Sequence, residues 1–159
     1  MRNLGFTLVE LIVTMVLISI LVAFAIPSYQ STVQDNQLVA CSNKLVTAVQ
    51  FAKSEAVTQR MAFSVVYSEA NGKVSYQVGP DANQDGTLDS VAQAFSCDSP
   101  DIAVSISGNN TFLTFGTSGF RADPNGILEF TTCSKNGYGK IVNVSMGGSV
   151  SSSNAEGGC

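Results

Sequence analysis

The feature that most limits what this chain can become is an unbroken apolar run, Phe6 to Ile26, reading FTLVELIVTMVLISILVAFAI. As a helix rising about 1.5 Å per residue it reaches about 30 Å, the thickness of a bilayer's hydrocarbon core. Ahead of it stands a short polar segment, MRNLG, whose one charge is Arg2; a cation there favours the cytoplasmic side. A removable secretory signal would be followed by a small-x-small cleavage site, and none follows here. The run also contains an acid, Glu10. A charged residue at the centre of a membrane helix costs about 2.5–3.5 kcal/mol. Glu10 lies nearer the end, where the cost is lower, but it still calls for a partner. No Lys, Arg or His occurs between Phe6 and Lys44, so the neutralising charge is expected from another chain.

The residues around Glu10 resemble the class III signal of type IV pilins and pseudopilins. Gly5 precedes Phe6, Glu10 would be the fifth residue of a chain beginning at Phe6, and Pro27 follows the run. The resemblance implies that a prepilin peptidase cuts between Gly5 and Phe6 and methylates the new amine of Phe6. It further implies that Glu10 pairs with the Phe6 amine of a neighbouring subunit during assembly. On this reading residues 1–5 are a leader, 6–28 the transmembrane and assembly helix, and 29–159 a periplasmic head. The chain would begin as a single-pass protein of the inner membrane and end in a surface fibre.

Proline lacks an N–H and crowds the preceding turn, so a kink is expected at Pro27. Beyond it Val33, Leu38, Cys41, Leu45, Ala48, Val49, Ala52 and Ala56 recur at three- and four-residue steps, an apolar stripe at helical period. The stripe should pack on a sheet, with the helix ending near Gln59–Met61. From Ala62 the period changes to two. Phe63, Val65 and Tyr67, a turn at Asn71-Gly72, then Val74, Tyr76 and Val78 predict a hairpin. Further strands are expected over Ile102–Ser107, Thr111–Phe115, Ile127–Thr132 and Lys140–Met146, with Phe112, Phe115 and Phe130 in the core. Gly147 to Gly158 reads as an extended or poorly ordered tail. The expected fold is α+β: a long N-terminal helix, membrane-spanning in its first half, packed on two small antiparallel sheets.

The helix end QFAKSEAVTQR, Gln50 to Arg60, running straight into a hairpin, resembles the GspH/FimT branch of this superfamily. That branch holds FimU-like minor pilins, the H pseudopilins of type II secretion, and FimT-type pilins linked to DNA uptake. It implies a structural subunit whose partners are other minor pilins and the major pilin. The FimT-type DNA receptors carry an arginine-rich motif near the C-terminus. The corresponding stretch here, Met146 to Ser151, has no arginine, and the cysteines are closer to the FimU-like kind.

Composition agrees with a non-catalytic subunit. Setting Arg2 and Glu10 aside from eight basic and twelve acidic residues leaves seven and eleven for the head, poor equipment for nucleic-acid phosphates. Histidine is absent, which removes imidazole bases and ligands. No GxSxG or glycine-rich phosphate loop occurs, so no enzyme activity and no cofactor are expected. Cys41, Cys97, Cys133 and Cys159 are too widely spaced for zinc and read as two disulfides in an exported chain. Cys41–Cys97 with Cys133–Cys159 is the favoured pairing; crossed pairing such as Cys97–Cys133 stays open. Closing the loop from Cys133 to Cys159 would stabilise by about 3–4 kcal/mol in the chain-entropy model.

One segment could hold a cation. Asp81-Ala82-Asn83-Gln84-Asp85-Gly86-Thr87-Leu88-Asp89 has the alternating oxygens and glycine of a calcium loop, with Asp81, Asn83, Asp85 and Asp89 as candidate ligands. The bidentate Glu expected at the twelfth position is replaced by Ala92. The same residues suit a polar turn between strands. Arg121 is read as a surface or turn residue, and Tyr29 as a membrane-interface or inter-subunit aromatic.

Overall fold

The computed structural model describes residues 7–70, 73–99, 102–107, 111–122, 128–134 and 137–155. The chain divides into two compact units, Met1–Gln34 and Asp35–Cys159.

The helix α1 (Leu8–Gln59) contributes residues to both units. It starts at Thr7, whose Oγ1 accepts the Glu10 N–H at 3.2 Å, an N-cap that satisfies one of the orphan donors of the first turn. From Leu8 to Ile26 its large apolar side chains are open on every side, from 45% exposed at Val22 to 77% at Phe24. A helix apolar all round is suited to lipid or to sister helices rather than to water. Pro27 lies inside α1, whose helical backbone continues past it.

In the second unit the expected stripe is the buried one. Leu38, Cys41, Leu45, Ala48, Val49, Ala52 and Ala56 are all in the core, while Val33, at the end of the first unit, is partly buried. Ala48, Ala52 and Ala56 are fully buried along the stripe. The helix stops at Gln59, as its sequence indicated, because Arg60 turns to φ 54°.

Among the described residues the head has eight strands: β1 (Phe63–Ala70), β2 (Lys73–Pro80), β3 (Gln93–Cys97), β4 (Ile102–Ile106), β5 (Phe112–Phe115), β6 (Leu128–Ser134), β7 (Gly139–Val144) and β8 (Val150–Asn154). They form two antiparallel sheets, ordered β3-β2-β1-β5 and β4-β6-β7-β8. The expected hairpin is present as β1–β2, with Val65 opposite Val78 and Tyr67 opposite Tyr76. Its Asn71-Gly72 turn lies outside the described residues. One continuous core joins the helix stripe to both sheets: Phe63, Val65, Tyr76, Val78, Leu113 and Phe115 from the first, Val104, Phe130, Val142 and Val144 from the second. Of the three phenylalanines expected in the core, Phe115 and Phe130 are buried and Phe112 is partly so.

Two strands depart from the sequence reading. The stretch after Gly147 is not simply a tail: Val150–Asn154 is β8, pairing with β7 from Val144↔Val150 to Lys140↔Asn154. Strand β3 pairs with β2 from Val74↔Cys97 to Val78↔Gln93. Both are mostly exposed edge strands. The backbone ladder holds them, so they leave little hydrophobic alternation to read.

Arg121 is also corrected. It is buried, 5% exposed, and stitches the two sheets together. Its backbone forms a bridge with Phe115 of β5. Its N–H donates to the Met146 carbonyl at 3.0 Å, and its guanidinium donates to the Val144 carbonyl of β7 at 2.9 Å. A guanidinium can be buried this way because its hydrogen-bond donors find carbonyls.

Candidate functional site

The assembly end of α1 is built by Thr7 and Glu10. The sequence Thr-x-x-Glu is a capping box, a signal the sequence reading passed over. Thr7 caps the Glu10 amide. The acid therefore sits in the first turn, where the helix dipole favours negative charge. Glu10 is exposed and lies among exposed Leu8, Val9, Leu11 and Val13. A carboxylate placed so is stabilised locally by its helix and left open to a cation from elsewhere. Gly5 and Phe6, the expected cleavage and methylation positions, lie outside the described residues. Tyr29 is 73% exposed, open to a lipid headgroup or a neighbouring chain.

The candidate calcium loop spans Asp81 to Asp89 and runs on to β3. Asp81 is fully buried. Its Oδ2 accepts Ser64 Oγ at 2.6 Å and the Gly86 N–H at 2.9 Å, and its Oδ1 accepts the Asp85 N–H at 3.3 Å. Ser64 Oγ is in turn 2.6 Å from Thr114 Oγ1, so the carboxylate anchors a buried polar cluster joining β1, β5 and the loop. Asp89 Oδ2 accepts the Ala82 N–H at 3.1 Å, and Asp85 Oδ1 accepts the Thr87 N–H at 2.8 Å.

These carboxylates are each aimed at backbone amides of their own loop rather than at a common point. Among the described residues no group of three or more His, Cys, Asp or Glu is placed to hold a metal ion. As arranged, the carboxylates of Asp81, Asp85 and Asp89 serve as acceptors that close a hydrogen-bonded turn. Gly86 is required at φ 83°, and a Cβ there would come within 2.4 Å of the Phe112 ring. Gly79 lets the loop lie against β2, since a Cβ on it would meet the Ser90 carbonyl at 1.9 Å.

The disulfide Cys41–Cys97, with Cα atoms 5.4 Å apart, ties α1 to the end of β3. It excludes the crossed pairing Cys97–Cys133. Cys133 is disulfide-bonded, and Cys159 lies outside the described residues. A loop closed over a separation of 56 residues contributes about 4 kcal/mol in the chain-entropy model.

Arg60 is another position that sequence reasoning passed over. It sits in the left-handed region just past α1, where glycine is the usual residue. A helix ending without Gly or Asn is the signal that marks it.

Comparison with known proteins agrees with this architecture. The family model described as type II transport protein GspH matches residues 42–148, more than half of the chain. The prokaryotic N-terminal methylation motif matches residues 1–26. Curated protein sequences yield no match. Two crystal forms of the type IV minor pilin FimU of Pseudomonas aeruginosa are similar in structure. One has a TM-score of 0.65 at 20% identity, covering 77% of this chain and 95% of that one. The other has a TM-score of 0.61 at 21% identity, covering 75% and 98%. At these identities the likeness is one of fold. The matched head, over two thirds of the chain, shows that this chain belongs to the GspH family, and its N-terminus carries the methylation motif.

Proposed function

We propose that this chain is a minor pilin of a type IV pilus, a structural subunit that helps to initiate the fibre or links a tip complex to the major pilin shaft. One observation carries the reading: a methylation motif leads directly into a helix whose large apolar side chains from Leu8 to Ile26 are exposed, ahead of a head with the FimU fold. A prepilin peptidase cuts between Gly5 and Phe6 and methylates Phe6. The chain is then held in the inner membrane by its apolar helix, with its head in the periplasm. It enters the fibre when Glu10 meets the Phe6 amine of a neighbour. The partners are other minor pilins and the major pilin. The chain is a substrate of the peptidase and not itself a catalyst.

Nucleic acid is not among the partners on this reading. The head is acidic, and the stretch Met146 to Ser151, which leads into β8, carries no arginine. The loop from Asp81 to Asp89 acts as a calcium-independent cover on the first sheet. A second reading, the H pseudopilin of a type II secretion system, is favoured by the description of the matched family and shares the fold and the processing.

The test is Glu10→Ala. A carboxylate lost from an ion pair in an apolar setting costs several kcal/mol, so incorporation into fibres should fall by at least about tenfold. Cleavage and methylation should continue. Normal incorporation of the variant would contradict the Glu10 mechanism. Processed chain that is absent from fibres, with secretion of exported proteins lost on deletion, would select the pseudopilin reading.

A further inference from the structure

The edges of the two sheets are not treated alike. The edge at β5 is covered by the segment that follows it: Phe115 bridges to Arg121, and the Ala122 N–H donates to the Thr114 carbonyl at 2.9 Å. At β4 the Val104 carbonyl accepts Tyr67 Oη at 3.1 Å. At β3 the Ser96 carbonyl accepts Lys44 Nζ, and Cys97 is tied to Cys41. Strand β8 has no such cover among the described residues. Its register with β7 extends past both ends, through Ser145 N–H to the Ser149 carbonyl at 3.0 Å and Ala155 N–H to the Gly139 carbonyl at 2.9 Å. Hydrogen-bonded pairs alternate along an antiparallel ladder. Ser151 and Ser153 therefore bond to β7, and the backbone N–H and C=O of Val150, Ser152 and Asn154 face away from it. Those outward groups have no hydrogen bond among the described residues. The strand also lacks charge, proline and a bulge, the devices that ordinarily blunt an edge.

A wall stands beside this edge. Within residues 35–59 of α1, the large apolar side chains left exposed are Val39, at 38%, and Val57, at 48%. They stand about five turns apart and so share one face of the helix. Val57 lines a depression with Gly148, Ser149 and Val150, and Val39 lines another with Asn154 and Ala155. The two depressions thus lie at opposite ends of β8, which runs alongside α1 in the reverse direction. The lengths agree: the five residues of β8 span about 17 Å, as do the residues of α1 from Val39 to Gln50, where the depressions face each other.

We propose that the free edge of β8 and this flank of α1 form a docking groove for an extended, uncharged peptide segment, which joins the sheet as a further strand. Outward donors and acceptors at every second residue are matched by another extended backbone, and not by a helix, whose backbone groups are already paired. An added strand turns every second side chain toward α1, where Val39 and Val57 are complemented by apolar ones. A second copy fits less well: antiparallel to β8, it would set its own Asn154 opposite Val150 and beside Val57. The inference concerns the head alone and holds whichever fibre or secretion machine the chain serves.

The experiment pans a phage-displayed library of random heptapeptides on the full-length chain in detergent. Selected peptides are synthesised, and hydrogen exchange of the chain is read amide by amide with and without them. Enriched peptides should place apolar residues at every second position. Their binding should slow exchange at Val150, Ser152 and Asn154 and leave Ser151 and Ser153, already bonded to β7, unchanged. Ser152→Pro removes one outward N–H and no bond of the ladder, a position where an edge strand tolerates proline. It should weaken binding by at least about tenfold at an unchanged melting temperature. Val57→Glu puts a charge on the helix wall without touching the strand and should weaken binding comparably. Four results overturn the proposal: no enriched peptide, enrichment at the three- and four-residue spacing of a helix, protection that does not alternate along β8, or binding left unchanged by either variant that folds. Self-association of the chain that protects the same three amides without any peptide would put a second copy in the groove and overturns it too.

Discussion

The two halves of α1 share one backbone geometry and have opposite surroundings. In the first, Leu17 is 56% exposed and its apolar neighbours are open in every direction; in the second, Leu45 is fully buried in a stripe that touches both sheets. Composition separates them. The first half is apolar all round, so no single face can satisfy it within its own chain. The second is apolar on one side, where Ala48, Ala52 and Ala56 are fully buried. A continuous helix can therefore serve two solvents: the head buries one half, and lipid or sister helices are left to bury the other.

The largest expected effect comes from exchanging equivalent residues. Leu45→Ala should destabilise the head by about 2–5 kcal/mol, the range for a leucine truncated in a packed core. Leu17→Ala should leave head unfolding unchanged in detergent, because that side chain makes no core contact to lose. Thermal unfolding of the full-length chain reads both. Equal effects would break the comparison.

Next is the loop over the first sheet. Asp81→Ala removes the acceptor for Ser64 Oγ and the Gly86 and Asp85 amides and should cost about 1–3 kcal/mol. Millimolar calcium should not move the melting temperature of the unaltered chain. A calcium-dependent rise lost in Asp81→Ala would restore the cation reading of Asp81, Asn83, Asp85 and Asp89.

The smallest effect is alkaline. Burial, reinforced by hydrogen bonding and charge from Glu69, raises the Tyr67 phenol to about 12. Burial, with Tyr67 second, pushes Tyr76 above its usual 10.0. Raised phenol values mean that the folded state holds these protons more tightly than the unfolded one. The stabilisation is complete below about pH 10 and is lost as pH climbs through the folded values. Tyr76 Oη has no hydrogen-bond partner among the described residues, so Tyr76→Phe should cost little at neutral pH. It should also shift alkaline unfolding upward. An unshifted alkaline limb would remove Tyr76 from the account.

Much of this was legible in the sequence, and the parts that were not share a cause. The apolar run, the stripe from Leu38 to Ala56 and the alternation through β1 and β2 are periodic signals carried by side chains that must be buried. Strand β3, QAFSC, and strand β8, VSSSN, are held by backbone pairing at sheet edges and carry no such pattern. Arg121 is buried because carbonyls of β7 and the turn after it happen to meet it, a tertiary fact invisible in the residues around it. The stretch from Asp81 to Asp89 was ambiguous for a chemical reason: oxygens spaced to bind a cation are equally spaced to accept the amides of a tight turn. The pairing Cys41–Cys97 was correct, and it fixes the edge strand that periodicity missed.

The most direct measurement is quantitative mass spectrometry of sheared surface fibres, including the N-terminal peptide. The account predicts small amounts of this chain relative to the main subunit, beginning with N-methylated Phe6. Fibres made chiefly of this chain would replace the minor-subunit reading with that of a major pilin. A chain that retained Met1 to Gly5 and never entered fibres would contradict the claim that its exposed apolar helix exists to be buried by other subunits.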